Sequence, residues 1–189
     1  MNIAIFSVTS GGRKLAARIA RAFGEEAVMP DGATAIAALR EAWTSCDALI
    51  CVMSTGIVVR AIAPLCRDKH WDPCVVVVDE GGRHAISLLS GHLGGGNLLA
   101  RRVAAIIGGE AVITTASDIL GRTALDLWVR ENRLMIRSAR QKMTEIAAKL
   151  VNVGRVAFFS DCPCANLPDD FYQVAEIAQA DIIVTSHDR

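Results

Sequence analysis

Two apolar runs constrain this chain more than anything else in it: residues 47–53 and Cys74-Val75-Val76-Val77-Val78. Neither alternates polar with apolar residues, so neither suits a strand with one wetted face. Both suit strands buried front and back, as in a parallel sheet covered by helices on its two faces. The intervening segments agree. Residues 3–8 end in Thr9-Ser10-Gly11-Gly12 and give way to an amphipathic stretch over 14–23. The run Ala27-Val28-Met29 meets the turn Pro30-Asp31-Gly32 and then a helical pattern over 34–43. Ser54-Thr55-Gly56 leads from the strand at 47–53 into a helix over 57–66. Asp79-Glu80-Gly81-Gly82-Arg83 folds the valine run back onto residues 84–89 as a hairpin. A helix over 98–107 and a strand at 111–113 follow. This alternation predicts an α/β fold: an open, doubly wound, mostly parallel sheet with one mixed pair.

After residue 118 the pattern changes. Helices over 123–131 and 139–151 and strands at 134–136, 155–159 and 182–185 frame a turn-rich segment at 161–170. The chain is therefore expected to hold two domains, 1–118 and a second, smaller α/β unit at 119–189.

Composition narrows the function classes. Twenty basic residues balance twenty acidic ones, which leaves no overall field to gather nucleic acid or an anionic membrane. No apolar run approaches the roughly 20 residues that span a bilayer, and the N-terminus shows no basic segment ahead of a long apolar one. A cytoplasmic protein is expected, with neither nucleic-acid nor membrane partners. The six cysteines form no C-x-x-C pair and have no histidines at zinc-ligand spacing. Reduced, largely buried thiols are expected rather than a metal cage or a disulfide framework.

The chemistry concentrates at Ser90-Gly91-His92-Leu93-Gly94-Gly95-Gly96-Asn97, between a strand and a helix. Bare backbone amides at a helix N-terminus attract anions, and glycine allows a ligand close approach. His92 adds a group that titrates near neutral pH. The turn is neither a G-x-G-x-x-G fingerprint nor a P-loop, so no common nucleotide signature explains it. In open sheets ligands bind beyond the carboxyl ends of strands. Thr9 to Gly12, Ser54 to Gly56, Ser90 to Asn97 and Thr114 to Asp118 are all strand-end loops, and one crevice is expected to collect them if the strand order permits. Asp79 and Glu80 end the valine strand, where one of them could serve as a base or orient a histidine, or both could simply cap a solvated turn. Arg60, Arg67, Lys69 and Arg83 are candidate carboxylate clamps. Thr114, Thr115 and Asp118 offer hydroxyl donors and a carboxylate, or else a helix cap.

Ordered blocks from residue 47 to 118 resemble the cobalt-precorrin-5A hydrolase family of cobalamin biosynthesis, known as CbiG. They are Ser54-Thr55-Gly56-Ile57-Val58-Val59-Arg60-Ala61-Ile62-Ala63-Pro64-Leu65, Asp68-Lys69, Asp72-Pro73, Val75-Val76-Val77-Val78-Asp79-Glu80, Ser87 through Asn97, and Thr114-Thr115-Ala116-Ser117-Asp118. The resemblance implies a hydrolase of the oxygen-independent route. Such an enzyme opens the δ-lactone of a cobalt-bearing tetrapyrrole and releases two carbons as acetaldehyde, giving cobalt-precorrin-5B. Cobalt would arrive inside the substrate, so no cofactor or protein-held metal is implied. On this view His92, Glu80 or Asp79 transfers protons. The amides of Gly94, Gly95 and Gly96 bind an oxyanion or a carboxylate. Arg60 and Arg83 grip peripheral carboxylates, and Ser54, Thr55, Gly56, Ser90, Gly91, Asn97, Thr114, Thr115 and Asp118 complete the substrate site. Family members usually carry a further C-terminal domain, so a separate domain or another corrin-pathway enzyme is an expected partner. A tetrapyrrole-binding module without catalysis, and an unrelated α/β domain binding phosphate or nucleotide, remain the alternatives.

Overall fold

The computed structural model describes residues 1–30, 34–68, 70–164 and 167–186. Asp31 and Gly32 of the first expected turn, and Lys69, lie outside the described residues. The chain divides into two compact units, Met1–Ile113 and Thr114–Arg189.

The first unit is one sheet of six strands: β1 (Ile3–Ser7), β2 (Ala27–Val28), β3 (Ala48–Val52), β4 (Cys74–Val78), β5 (His84–Leu89) and β6 (Glu110–Val112). Their order is β2-β1-β3-β4-β5-β6, and every pair is parallel except β4 with β5. Among the described residues four helices cover it: α1 (Ser10–Phe23), α2 (Ala35–Ala42), α3 (Thr55–Ile62) and α4 (Gly96–Ile107).

Strand residues point alternately to opposite faces, and the two faces build separate cores. Ile3, Ile5, Ile50, Val52, Val76 and Val78 pack with Ala16 and Ile19 of α1 and Leu99 and Val103 of α4. Ala4, Phe6, Leu49, Cys51, Val75 and Val77 pack with Leu39 of α2 and Val58 and Ile62 of α3. Double burial is why β3 and β4 read as unbroken apolar runs: all ten of their residues are buried. Caps define where helices begin. The Thr9 hydroxyl accepts from the Gly12 amide at 2.9 Å, and the Thr34 hydroxyl from the Ala37 amide at 3.1 Å.

The hairpin orients everything after it. Val75 pairs with Leu89 and Val78 with Ala85, so β5 ends beside the start of β4. The loop after β5 therefore emerges at the rim of the sheet opposite the loops after β1, β3 and β4.

The second unit holds α5 (Ala116–Ile119), α6 (Leu125–Glu131), α7 (Arg140–Val153) and a parallel sheet of β7 (Val156–Ser160), β8 (Phe171–Gln173) and β9 (Ile182–Val184), in the order β8-β7-β9. Trp128 packs edge-on to Phe158 and Phe171, with centroids 6.0 and 5.0 Å away. Asp181 fastens the sheet to α7: its carboxylate accepts from Lys149 Nζ and from the Ala157 amide, each at 2.7 Å. Burial acts to raise the Asp181 pKa, and these donors outweigh it to hold the carboxyl below its ordinary range.

One expected element is absent. Residues 134–136 form no strand, because the chain there closes the end of α6 instead. Arg133 adopts φ +55°, and the Leu134 amide turns back to the Val129 carbonyl at 3.0 Å. Leu134 then packs on the unit's core while Met135 and Ile136 face outward. The third strand of this sheet is β8, a three-residue run just past the turn-rich segment.

Candidate functional site

The sequence-derived candidates of the first unit divide between its two rims. At the first rim, beyond the ends of β1, β3 and β4, lie Thr9 to Gly12, Ser54, Thr55, Gly56, Arg60, Asp79, Glu80 and Arg83. Here Glu80 reaches the N-terminus of α1. A Cβ on Gly11 would overlap its Oε1 atom, so glycine at that position admits the carboxylate, and the positive end of the helix dipole favours it. Arg60 curls back along its own helix, with Nη1 3.4 Å from the Gly56 carbonyl. Asp79 is a turn clamp: Oδ1 accepts from the amides of Arg83 at 3.0 Å and His84 at 2.6 Å. Burial acts to raise the Asp79 pKa, and it is outweighed by the His84 and Arg83 amides and the nearby His84 imidazole, which together lower it.

The glycine turn sits at the second rim. Across a five-residue strand the separation is about 16 Å, so the expectation of one crevice within the first unit fails. Its physical reason is the antiparallel hairpin: the loop following β5 cannot share a rim with the loop following β4. Thr114, Thr115 and Asp118 belong to the second unit, where Thr115 precedes α5 and its carbonyl accepts from the Ile119 amide at 3.1 Å.

The turn uses most of its own donors. The Gly95 amide donates to the His92 carbonyl at 2.9 Å, the Gly96 amide to Ser90 at 3.1 Å and the Asn97 amide to Gly91 at 2.9 Å. Two of the three amides expected to bind an anion are thus consumed internally; that of Gly94 is not. The glycines answer to packing as well. A Cβ on Gly94 would lie 2.6 Å from Ser90 Cβ, one on Gly91 2.6 Å from Asn97 Oδ1, and one on Gly96 2.9 Å from the Leu89 carbonyl oxygen. Gly95 has φ +81°, a conformation costly for other residues. Asn97 is buried and its Oδ1 accepts from Ser87 Oγ at 2.7 Å, so it braces the turn from beneath.

Beside this turn opens a cleft of about 620 Å³, within the range of small-molecule sites. Three stretches of chain wall it: the end of α2 with the approach to β3 (Arg40, Trp43, Asp47), the loop into β4 (Arg67, His70, Trp71, Asp72), and Leu93 with Gly94. The carboxylates on its border already serve the backbone. Asp47 accepts from the Asn2 amide at 2.8 Å, and Asp72 from the amides of Arg67 and Asp68 at 2.8 and 2.9 Å. Arg40 and Arg67 form no ion pair among the described residues. The cleft thus presents two guanidinium groups and an indole, since Trp71 is 87% exposed.

The loop into β4 is tightly wound. Besides its two bonds to Asp72, the amides of Trp71 and Asp72 donate to the Asp68 carbonyl at 3.0 and 2.8 Å, and Ser90 Oγ donates to the Asp72 carbonyl at 3.1 Å. On this frame His70 Nδ1 lies 2.6 Å from Asp68 Oδ1. Sequence reading missed Arg40, Trp43, His70 and Trp71. The available signal was Asp68-Lys69-His70-Trp71-Asp72 itself, an imidazole bracketed by carboxylates beside a tryptophan in a polar loop.

The sequence model of a family described as "Cobalamin synthesis G N-terminal" matches residues 37–118. Every described residue lining the cleft falls inside this matched segment, whereas Thr9 to Gly12 of the opposite rim fall outside it. The chain is 41% identical over 192 residues to a cobalt-precorrin-5A hydrolase of Salmonella typhimurium, covering 96% of this chain and 52% of that protein. It is 45% identical over 109 residues to the cobalt-precorrin-5A hydrolase of Priestia megaterium, covering 58% of this chain and 29% of the relative. It therefore spans about half the length of the Salmonella relative, or less in the other case. A crystal structure described as a cobalamin biosynthesis protein G homolog from Sulfolobus solfataricus shares the fold, with TM-score 0.58 and 19% identity over 97% of this chain and 59% of that one.

Among the described residues no three His, Cys, Asp or Glu side chains gather as a metal site, and no helix is long and apolar enough to cross a membrane.

Proposed function

We propose that this chain acts in cobalamin biosynthesis on a cobalt-bearing tetrapyrrole lactone, in the oxygen-independent route, and that the cleft beside the glycine turn receives it. The carrying observation is the cleft's lining: two arginines, an exposed tryptophan and the turn, all drawn from the cobalamin synthesis G segment. The substrate's chemistry suits each of them. Its acetate and propionate groups match guanidinium forks, and its flat macrocycle matches the face of Trp71. The Gly94 amide is available to a developing oxyanion. An imidazole, that of His70 in the cleft lining or of His92 in the adjoining turn, supplies proton transfer for opening the lactone and releasing acetaldehyde. The cobalt is part of the substrate, and the chain contributes no metal of its own. Glu80, Asp79 and Arg60 act at the other rim as structural groups.

The test is a spectral titration of the chain with cobalt-precorrin-5A, joined to an acetaldehyde assay. Binding should quench Trp71 fluorescence. Replacing both Arg40 and Arg67 by Gln should weaken binding by at least about 100-fold, since each charged hydrogen bond is worth about 1.5–3 kcal/mol. Binding without turnover would make the chain a tetrapyrrole-holding module whose chemistry comes from a further domain or partner. Absence of binding would refute the reading.

A further inference from the structure

His70 and Asp68 form a pair to which neither the sequence reading nor the family match gives a role. A carboxylate can only accept, so the 2.6 Å contact requires the proton on His70 Nδ1 and leaves Nε2 as the basic nitrogen of the neutral ring. Both members sit on the self-braced loop: the His70 amide also donates to Asp68 Oδ1 at 3.0 Å, and Asp72 holds the amide of Asp68. Such bracing keeps an imidazole oriented without help from a substrate. His70 lines the cleft, in company with Arg67 and Gly94. By contrast His92 lies in the glycine turn but is not among the residues lining that cleft.

We propose that His70 is the proton-transfer residue of the cleft and that Asp68 is its positioning residue, acting on a lactone carried by an acidic macrocycle. This rests on the reading that the cleft binds the tetrapyrrole. In the first step a water oxygen bonds to the lactone carbonyl carbon while one of its protons passes to Nε2. The acyl C–O bond then breaks and that proton moves to the departing oxygen, so lactone and water become acid and alcohol. In the second step Nε2 takes the alcohol proton as the C–C bond breaks. Acetaldehyde leaves, and the electron pair left on the macrocycle carbon takes up the proton from His70. Imidazole is regenerated, and no oxidant, reductant or further reactant enters. The Arg67 guanidinium, on the same loop, would hold a neighbouring carboxylate and so register the lactone over the ring.

The experiment uses the full chain with cobalt-precorrin-5A, reading binding by absorbance and turnover by acetaldehyde. His70→Ala should lower kcat by about 100-fold or more while Kd stays within about threefold, a change under ~1 kcal/mol. Added imidazole should restore turnover to His70→Ala, which a merely structural histidine would not permit. Asp68→Asn keeps an oxygen acceptor for the His70 amide; it should lower kcat by about tenfold at unchanged Kd, without rescue. Turnover by His70→Ala within about threefold of the unaltered chain would overturn the proposal, as would binding without turnover by the unaltered chain. A failure of the unaltered chain to bind would instead overturn the underlying functional reading.

Discussion

An alanine series through the glycine turn separates two reasons for glycine that look alike in a sequence. If glycines are there to let a ligand approach, alanine should spare folding and harm binding. If they are there so the turn can pack on itself, folding should suffer first, by amounts the geometry ranks. At Gly95 an added Cβ meets nothing within 4 Å, and only φ +81° opposes it, so Gly95→Ala should cost about 1–2 kcal/mol. At Gly94 the backbone is ordinary, but the Cβ would sit 2.6 Å from Ser90 Cβ and 2.7 Å from the Ser90 carbonyl oxygen. Relieving that overlap means displacing Ser90, whose carbonyl accepts the Gly96 amide at 3.1 Å. Overpacking of about 1–3 kcal/mol plus one hydrogen bond of about 1 kcal/mol gives about 2–4 kcal/mol for Gly94→Ala. The assay is a urea titration of each variant followed through the indole resonance of Trp43, which is buried in the first unit. Gly94→Ala should unfold earlier than Gly95→Ala, and both earlier than the unaltered chain. A Gly94→Ala variant as stable as the unaltered chain, yet unable to bind the tetrapyrrole, would refute the self-packing account.

Other expectations follow from ionisation. Because the Asp79 carboxyl is held below its ordinary range in the folded state, it contributes stability above the ordinary carboxylate pKa, and this is lost as pH falls through the lowered value. Asp79→Asn should therefore flatten the decline in the first unit's urea midpoint between about pH 5 and about pH 3; an undiminished decline would count against the clamp. Burial pushes the thiols of Cys51 and Cys74 up to about 12, so iodoacetamide at about pH 8 should leave both unmodified in the native chain and label them in urea. Mass spectrometry reads this, and native labelling of either cysteine would contradict their burial.

What could be read from the residues was largely what repeats locally. The unbroken apolar character of β3 and β4 announced a doubly covered sheet, and Asp79 to Arg83 announced the hairpin. The candidate site was harder, for two reasons. Strand-end loops share a rim only where their strands run the same way, and the hairpin sends Ser90 to Asn97 to the rim opposite Glu80. The cleft is also assembled from Arg40, Arg67 with His70, and Gly94, stretches that no periodicity links. Arg40 and Trp43 look like ordinary residues near a helix end until Leu93 is brought beside them. At residues 134–136 the apolar triplet suggested a strand, but a helix-closing hydrogen bond from Leu134 had the stronger local claim.

The reversal between β4 and β5 has a wider implication. A purely parallel sheet offers ligands one margin, since its return connections occupy the other. A single antiparallel partner opens the second margin without disturbing which helix shields which face. The same scaffold can then evolve recognition at its two ends independently, and a change near Glu80 need not perturb whatever is held near Gly94.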